Sequence, residues 1–222
     1  MRLQAGHPMN VPDAMDASTR AELVRRGTRL AFVTLGYNLL EGFVAVVAGL
    51  SAGSIALVGF GADSFIEVTA GGVALWRLQA DREPGRRQYA ERRSRWLVGA
   101  CFLGLAAYVS IDALTALWRG ERPAESPVGI ALAAISVVLM PVLARAKRRV
   151  AAALRSGALT SESRQTSLCG WLSAILLGGL ALNAAFGWWW ADPAAALAMV
   201  PIMLQEGIEG LRGRSACAES CH

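Results

Sequence analysis

The chain has 222 residues, of which 54% are hydrophobic and 18% charged, and it carries a formal net charge of +5. So high an apolar content excludes a disordered chain, and a mean hydropathy of +0.39 leaves the choice between soluble and membrane classes to the distribution of residues. The arginines flank long apolar runs and lack interleaved aromatics, so nucleic acid is not an expected partner.

Residues 1–27 contain no apolar core followed by a small-residue cleavage site, so they are not read as a secretory signal. Thr19 with Glu22 has the spacing of a capping box and predicts a short helix leading into the first apolar run. From there the apolar runs predict helices over 28–50, 54–77, 96–118, 127–146, 156–183 and 192–211. Each is close to the ~20 residues needed to cross ~30 Å of hydrocarbon at ~1.5 Å per residue. Pro127 and Pro193 suit a helix's first turn, whereas Pro141 and Pro201 fall inside predicted spans and should kink them. Trp188, Trp189 and Trp190 read as an interfacial belt, and Cys101 as helix packing. The expectation is an all-α polytopic membrane protein with six transmembrane helices: a cytoplasmic segment 1–27, a membrane domain 28–211 and a short tail 212–222. In the tail, Cys217, Cys221 and His222 form a Cys-x3-Cys-His group, a candidate clasp for a soft cation.

Arginine placement orients the chain. Arg20, Arg25 and Arg26 precede the first run, Arg82 to Arg95 cluster between the second and third, and Arg145 to Arg155 between the fourth and fifth. The opposite side holds only Arg119 and Arg122, so both ends are expected in the cytoplasm of a multi-pass protein of a plasma or inner membrane.

Five carboxylates lie away from the run ends: Glu41, Asp63, Glu67, Asp112 and Glu162. Each charge near the midplane costs about 2.5–3.5 kcal/mol on insertion scales, and Arg164 is the one basic residue well inside a run. Glu206 and Glu209 fall in the closing turns of the sixth run, within reach of water. The interior acids therefore need protons, water or a bound cation. A headgroup position would explain Asp112 but not Asp63 and Glu67. These two are spaced i, i+4 and project from one helical face, as two ligands to one divalent cation would.

Ser54-Ile55-Ala56-Leu57 opens the second helix and Ser156-Gly157-Ala158-Leu159 the fifth, at an offset of 102 residues. The same offset carries Asp63 onto Gln165, Ser64 onto Thr166 and Glu67 onto Cys169. The two stretches enter from opposite faces, which predicts an inverted repeat of helices 1–3 and 4–6, with Asp63 and Gln165 each ~13 Å deep. Asp63, Glu67, Gln165 and Cys169 would then supply two carboxylates, an amide oxygen and a thiolate, a mixed set suited to zinc or a neighbouring divalent ion. Cys169 taken alone reads as an ordinary buried cysteine; its place beside Gln165 and opposite two carboxylates is what brings in the ligand reading. Glu162 is a further ligand or a proton acceptor, and Asn38 and Glu41 are expected to line the approach.

Gly53-Ser54-Ile55-Ala56-Leu57 followed by Asp63-Ser64-Phe65-Ile66-Glu67 resembles the second helix of the cation diffusion facilitator superfamily. The fifth-helix counterpart and Trp190-Ala191-Asp192-Pro193 extend the resemblance over residues of about 30–211. It implies a divalent-cation/proton antiporter, a homodimer, and a transport site joining an acid pair on helix two to a pair on helix five. Asp63 and Glu67 fill the first pair, while Gln165 and Cys169 stand where the family has His and Asp. The chain resembles a short branch without the C-terminal cytoplasmic domain. The function expected is efflux of a divalent transition metal with zinc first among them, without a permanently bound cofactor and without enzymatic chemistry. A non-transporting metal-binding or regulatory membrane protein and an exporter of small organic cations are the rival classes.

Overall fold

The computed structural model describes the backbone of residues 16–79, 84–154 and 156–212, and their side chains except at 17, 73–95, 157 and 158. Among the described residues there are six helices and no strand: α1 (Ala17–Ala52), α2 (Ile55–Gln79), α3 (Pro84–Arg119), α4 (Pro127–Leu154), α5 (Gly157–Phe186) and α6 (Ala191–Arg212). All six are long and apolar enough to cross a membrane. The Cys217, Cys221 and His222 group lies outside the described residues.

Three helices outrun the apolar stretches that announced them. α1 and α3 each have 36 residues and α4 has 28. An apolar run marks only the part of a helix that meets lipid; a polar continuation of Arg, Glu, Gln and Ala is equally helical. Pro84 opens α3 at a position where its missing N–H costs nothing. Thr19 is not a cap: α1 begins at Ala17 after Asp16, and Glu22 instead pairs with Arg26 one turn on, at 2.5 Å. Pro141 and Pro201 sit inside helices that run on past them.

α1 packs along α2, α4 along α5 and α3 along α6; α1 also meets α4, and α2 touches α3, α5 and α6. Apolar side chains on the inside, among them Leu57, Phe60, Val109, Met140, Leu176 and Met199, form a continuous core. Others such as Phe32, Leu40, Leu50, Ile111 and Val138 point outward, as lipid-facing residues do. Since lipid is as apolar as the core, close backbone approach does much of the holding. On α1 and α2, a Cβ at Gly61 would lie 2.9 Å from the Gly42 carbonyl oxygen. On α3 and α6, a Cβ at Gly99 would lie 2.8 Å from the Gly207 carbonyl oxygen.

The Ser-x-Ala-Leu stretches share a local structure. The Ser54 hydroxyl accepts from the Leu57 N–H at 3.1 Å, and the Ser156 hydroxyl from the Leu159 N–H at 3.4 Å. Both serines therefore cap the helix that follows.

Gly99→Ala should lower the thermal midpoint of the purified protein, by about 1–3 kcal/mol of stability, because backbone and not a flexible side chain blocks the new methyl. Gly104 on the same helix has nothing within 4 Å of such a methyl. Gly104→Ala should be neutral or slightly stabilising; equal melting of both variants would contradict the close α3–α6 contact.

Candidate cation site

Asp63 and Glu67 face the bundle interior from α2, 1% and 7% exposed. With Gln165 of α5 and Glu206 of α6 they wall a cavity of about 10 Å³, completed by Phe102, Leu168, Leu172, Ile202 and Met203. That is room for one water-sized particle. The Asp63 Oδ2 is buried and has no hydrogen-bond partner, which leaves an acceptor unmet at a typical cost of about 1–3 kcal/mol. No basic side chain is among the described residues of the wall.

The close approach of α1 at Gly42 and Gly61 brings two polar side chains of α1 behind the α2 acids. Asn38 Nδ2 donates to Glu67 Oε2 at 2.7 Å, holding that carboxylate while its own Oδ1 stays unpartnered. Glu41 is fully buried and is held at both oxygens. The Ser136 hydroxyl donates to Oε1, the Ser64 hydroxyl reaches Oε2 at 3.0 Å, and the Cys169 thiol approaches Oε2 at 3.7 Å. Tyr37 extends the chain through its hydroxyl, 2.7 Å from that of Ser136. Asn38 and Glu41 thus back the acid pair and are not among the cavity's lining residues.

Of the fifth-helix residues, Gln165 meets the acid pair at the cavity, whereas Cys169 faces Glu41 and does not line it. Glu162 pairs with Lys147 at 2.9 Å, and Lys147 also donates to the Thr166 hydroxyl at 3.1 Å. Lys147 is fully buried. Lys147 falls among the Arg145 to Arg155 group, beyond the predicted end of the fourth span at residue 146; the longer α4 carries it into the bundle. Arg164, expected inside, is exposed on α5, and Asp112 is half-buried. Among the described residues, no three His, Cys, Asp or Glu side chains converge closely enough to grip one metal ion. In this conformation the acids wall a cavity without forming a closed coordination shell.

Two acids of α6 were missed as site residues. The sequence puts Glu206 within reach of water at the helix end, yet it is half-buried and lines the cavity. Its i, i+4 spacing from Ile202 and i, i+3 spacing from Met203 put it on the inward face, a signal that was legible in the sequence. Asp192, 1% exposed, reaches from the start of α6 to the start of α2. It accepts from the Ser54 hydroxyl at 2.5 Å, the Ile55 N–H at 2.9 Å and the Ala56 N–H at 3.4 Å. A carboxylate at the positive end of α2 satisfies N–H groups that the helix cannot, and it ties the two helices that carry acids into the cavity.

A six-helix membrane bundle with an acid-walled cavity between its helices is the architecture of a polytopic cation transporter. A family profile described as the cation efflux transmembrane domain matches residues 31–212, and the chain belongs to that family, the cation diffusion facilitators. No curated protein matches the chain.

Asp192→Asn should lower the thermal midpoint, with a loss of about 2 kcal/mol, because a neutral amide offers one acceptor oxygen where the carboxylate offers two. A melt identical to that of the parent protein would remove the tie between α2 and α6.

Proposed function

We propose that this cation efflux protein exports a divalent transition-metal ion, zinc first among them, from the cytoplasm in exchange for protons. The observation that carries the reading is the Asp63 carboxylate, buried with an unmet oxygen beside Glu67 in an ion-sized cavity. Both orphaned atoms of the region, Asp63 Oδ2 and Asn38 Oδ1, are acceptors, so the species that satisfies them carries positive charge or a donated proton. Asp63 and Glu67 would bind the ion when deprotonated and carry protons on the return, since a neutralised acid crosses the bilayer far more cheaply. An inverted repeat supports alternate exposure of one site to the two faces: Ser54 and Ser156 cap equivalently, and α1 on α2 packs as α4 does on α5. The cavity's volume argues against organic cations, which need far more room.

Both ends are proposed to be cytoplasmic. A cysteine placed at exposed Glu125, between α3 and α4, should react with an impermeant reagent from outside, and one at exposed Arg149 only after the membrane is opened. The reverse pattern would invert the direction of transport.

In proteoliposomes enclosing a pH-sensitive dye, zinc added outside should drive protons out of the lumen. Asp63→Ala should abolish metal flux yet leave a folded protein, because the change removes a buried and unmet acceptor. Glu67→Gln should retain some binding through its carbonyl oxygen and lose the proton signal. A panel of zinc, cadmium, cobalt and manganese ranks the substrate. Metal flux indifferent to the pH gradient would remove antiport, and normal flux through Asp63→Ala would move the site elsewhere.

A further inference from the structure

Among the described residues that line the cavity, Glu206 is the one acid that does not lie on α2. We infer that it is the cation's first ligand, taking the divalent ion at the end of the bundle where α6 closes and delivering it to Asp63 and Glu67. The inference rests on the transport reading above and extends it to a third helix.

The Asp192 tie sets the starts of α2 and α6 side by side, so depth along both helices can be counted from one level. At 1.5 Å per residue from Ile55 and from Ala191, Asp63 lies ~12 Å along, Glu67 ~18 Å and Glu206 ~22 Å. The three carboxylates therefore descend in order, with Glu206 nearest the face where α6 ends. Their exposure follows the same order: Asp63 1%, Glu67 7%, and Glu206 half-buried. Between them the wall is apolar apart from Gln165, with Phe102, Leu168, Leu172, Ile202 and Met203, so their fields are screened far less than in water.

Packing fixes which way Glu206 points. Gly207, its neighbour, is pressed against α3, where a Cβ would meet Leu103 at 2.7 Å and the Gly99 carbonyl oxygen at 3.1 Å. With that rotation set, Ile202, Met203 and Glu206 share the face turned to the cavity. Glu209 provides a contrast: it is exposed and accepts from Gln205 at 3.2 Å. The unmet Asp63 Oδ2 at the deep end supplies the destination. The order along the cavity, with Glu206 outermost and the α2 pair deeper, gives the sequence of contact: Glu206 first and the α2 pair after it.

The test uses the full chain in proteoliposomes with a zinc indicator, comparing Glu206→Gln, Glu206→Asp and Glu209→Gln. Loss of one charged ligand on entry should raise the KM for zinc roughly tenfold in Glu206→Gln with the maximal rate little changed. Glu206→Asp keeps the charge and should fall between, which also covers the case in which the glutamine variant does not fold. Glu209→Gln should match the parent protein. Equal KM shifts for the Glu206 and Glu209 variants, both erased by high salt, would mean that surface charge merely attracts the ion, and would overturn the inference. So would a parental KM in Glu206→Gln and Glu206→Asp alongside an inactive Asp63→Ala. That result refutes the entry ligand alone, whereas an active Asp63→Ala refutes the transport reading beneath it.

Discussion

A carboxylate buried in a membrane bundle without a basic partner is the constraint on which the rest of this structure depends. Asp63 has such a position, and the residues around it are arranged to contain the charge without cancelling it. Asn38 steadies Glu67 with one amide hydrogen, and Glu41 is held by hydroxyls and a thiol. Each of these donors is neutral, so none of them supplies a positive charge to the acids. A lysine or arginine in any of those places would have neutralised an acid there, as Lys147 does for Glu162.

Placing acids this deep requires helices that come very near each other, and glycine supplies the approach. The Gly42 and Gly61 contact brings α1 against α2, which is why Asn38 and Glu41 reach Glu67 and Ser64. The Gly99 and Gly207 contact does the same for α3 and α6 and sets the rotation of α6 that turns Glu206 inward. Asp192, at the other end of α6, ties that helix to the start of α2. The cavity is thus framed by two glycine contacts and one charged cap, all encoded by residues that carry no cation chemistry themselves.

The spans were legible in the sequence because apolar length is a direct physical requirement for crossing hydrocarbon. The shared inward face of Asp63 and Glu67 was legible as well, since residues spaced i, i+4 project from the same side of a helix. Helix ends were not: polar extensions of α1, α3 and α4 leave no hydropathy signal, and this hid Lys147, which enters the bundle on the added turns of α4. Cys169 was placed by offset from Glu67, but an offset fixes which residues correspond and leaves side-chain direction open. One turn beyond Gln165, its thiol meets Glu41. Glu206 was set aside for lying near a helix end, although its spacing from Ile202 and Met203 already put it on the inner face.

The bundle contains two solutions to the same electrostatic problem, and their contrast locates the function. On α4 and α5, Glu162 meets a fully buried Lys147, and Thr166 takes a further ammonium hydrogen. That set is internally neutral and has no need of a visiting ion; removing either partner would strand a charge. On α2 and α6, Asp63, Glu67 and Glu206 share a cavity with no basic side chain among its described lining residues. In the inverted repeat proposed above, α2 corresponds to α5, and the positions held by Asp63 and Glu67 on the one are held by Gln165 and Cys169 on the other. On α4 and α5 the lysine neutralises Glu162, the one carboxylate in the sequence of those two helices. The unneutralised acids of the described cavity are therefore gathered on α2 and α6, where Glu206 joins Asp63 and Glu67 in its wall.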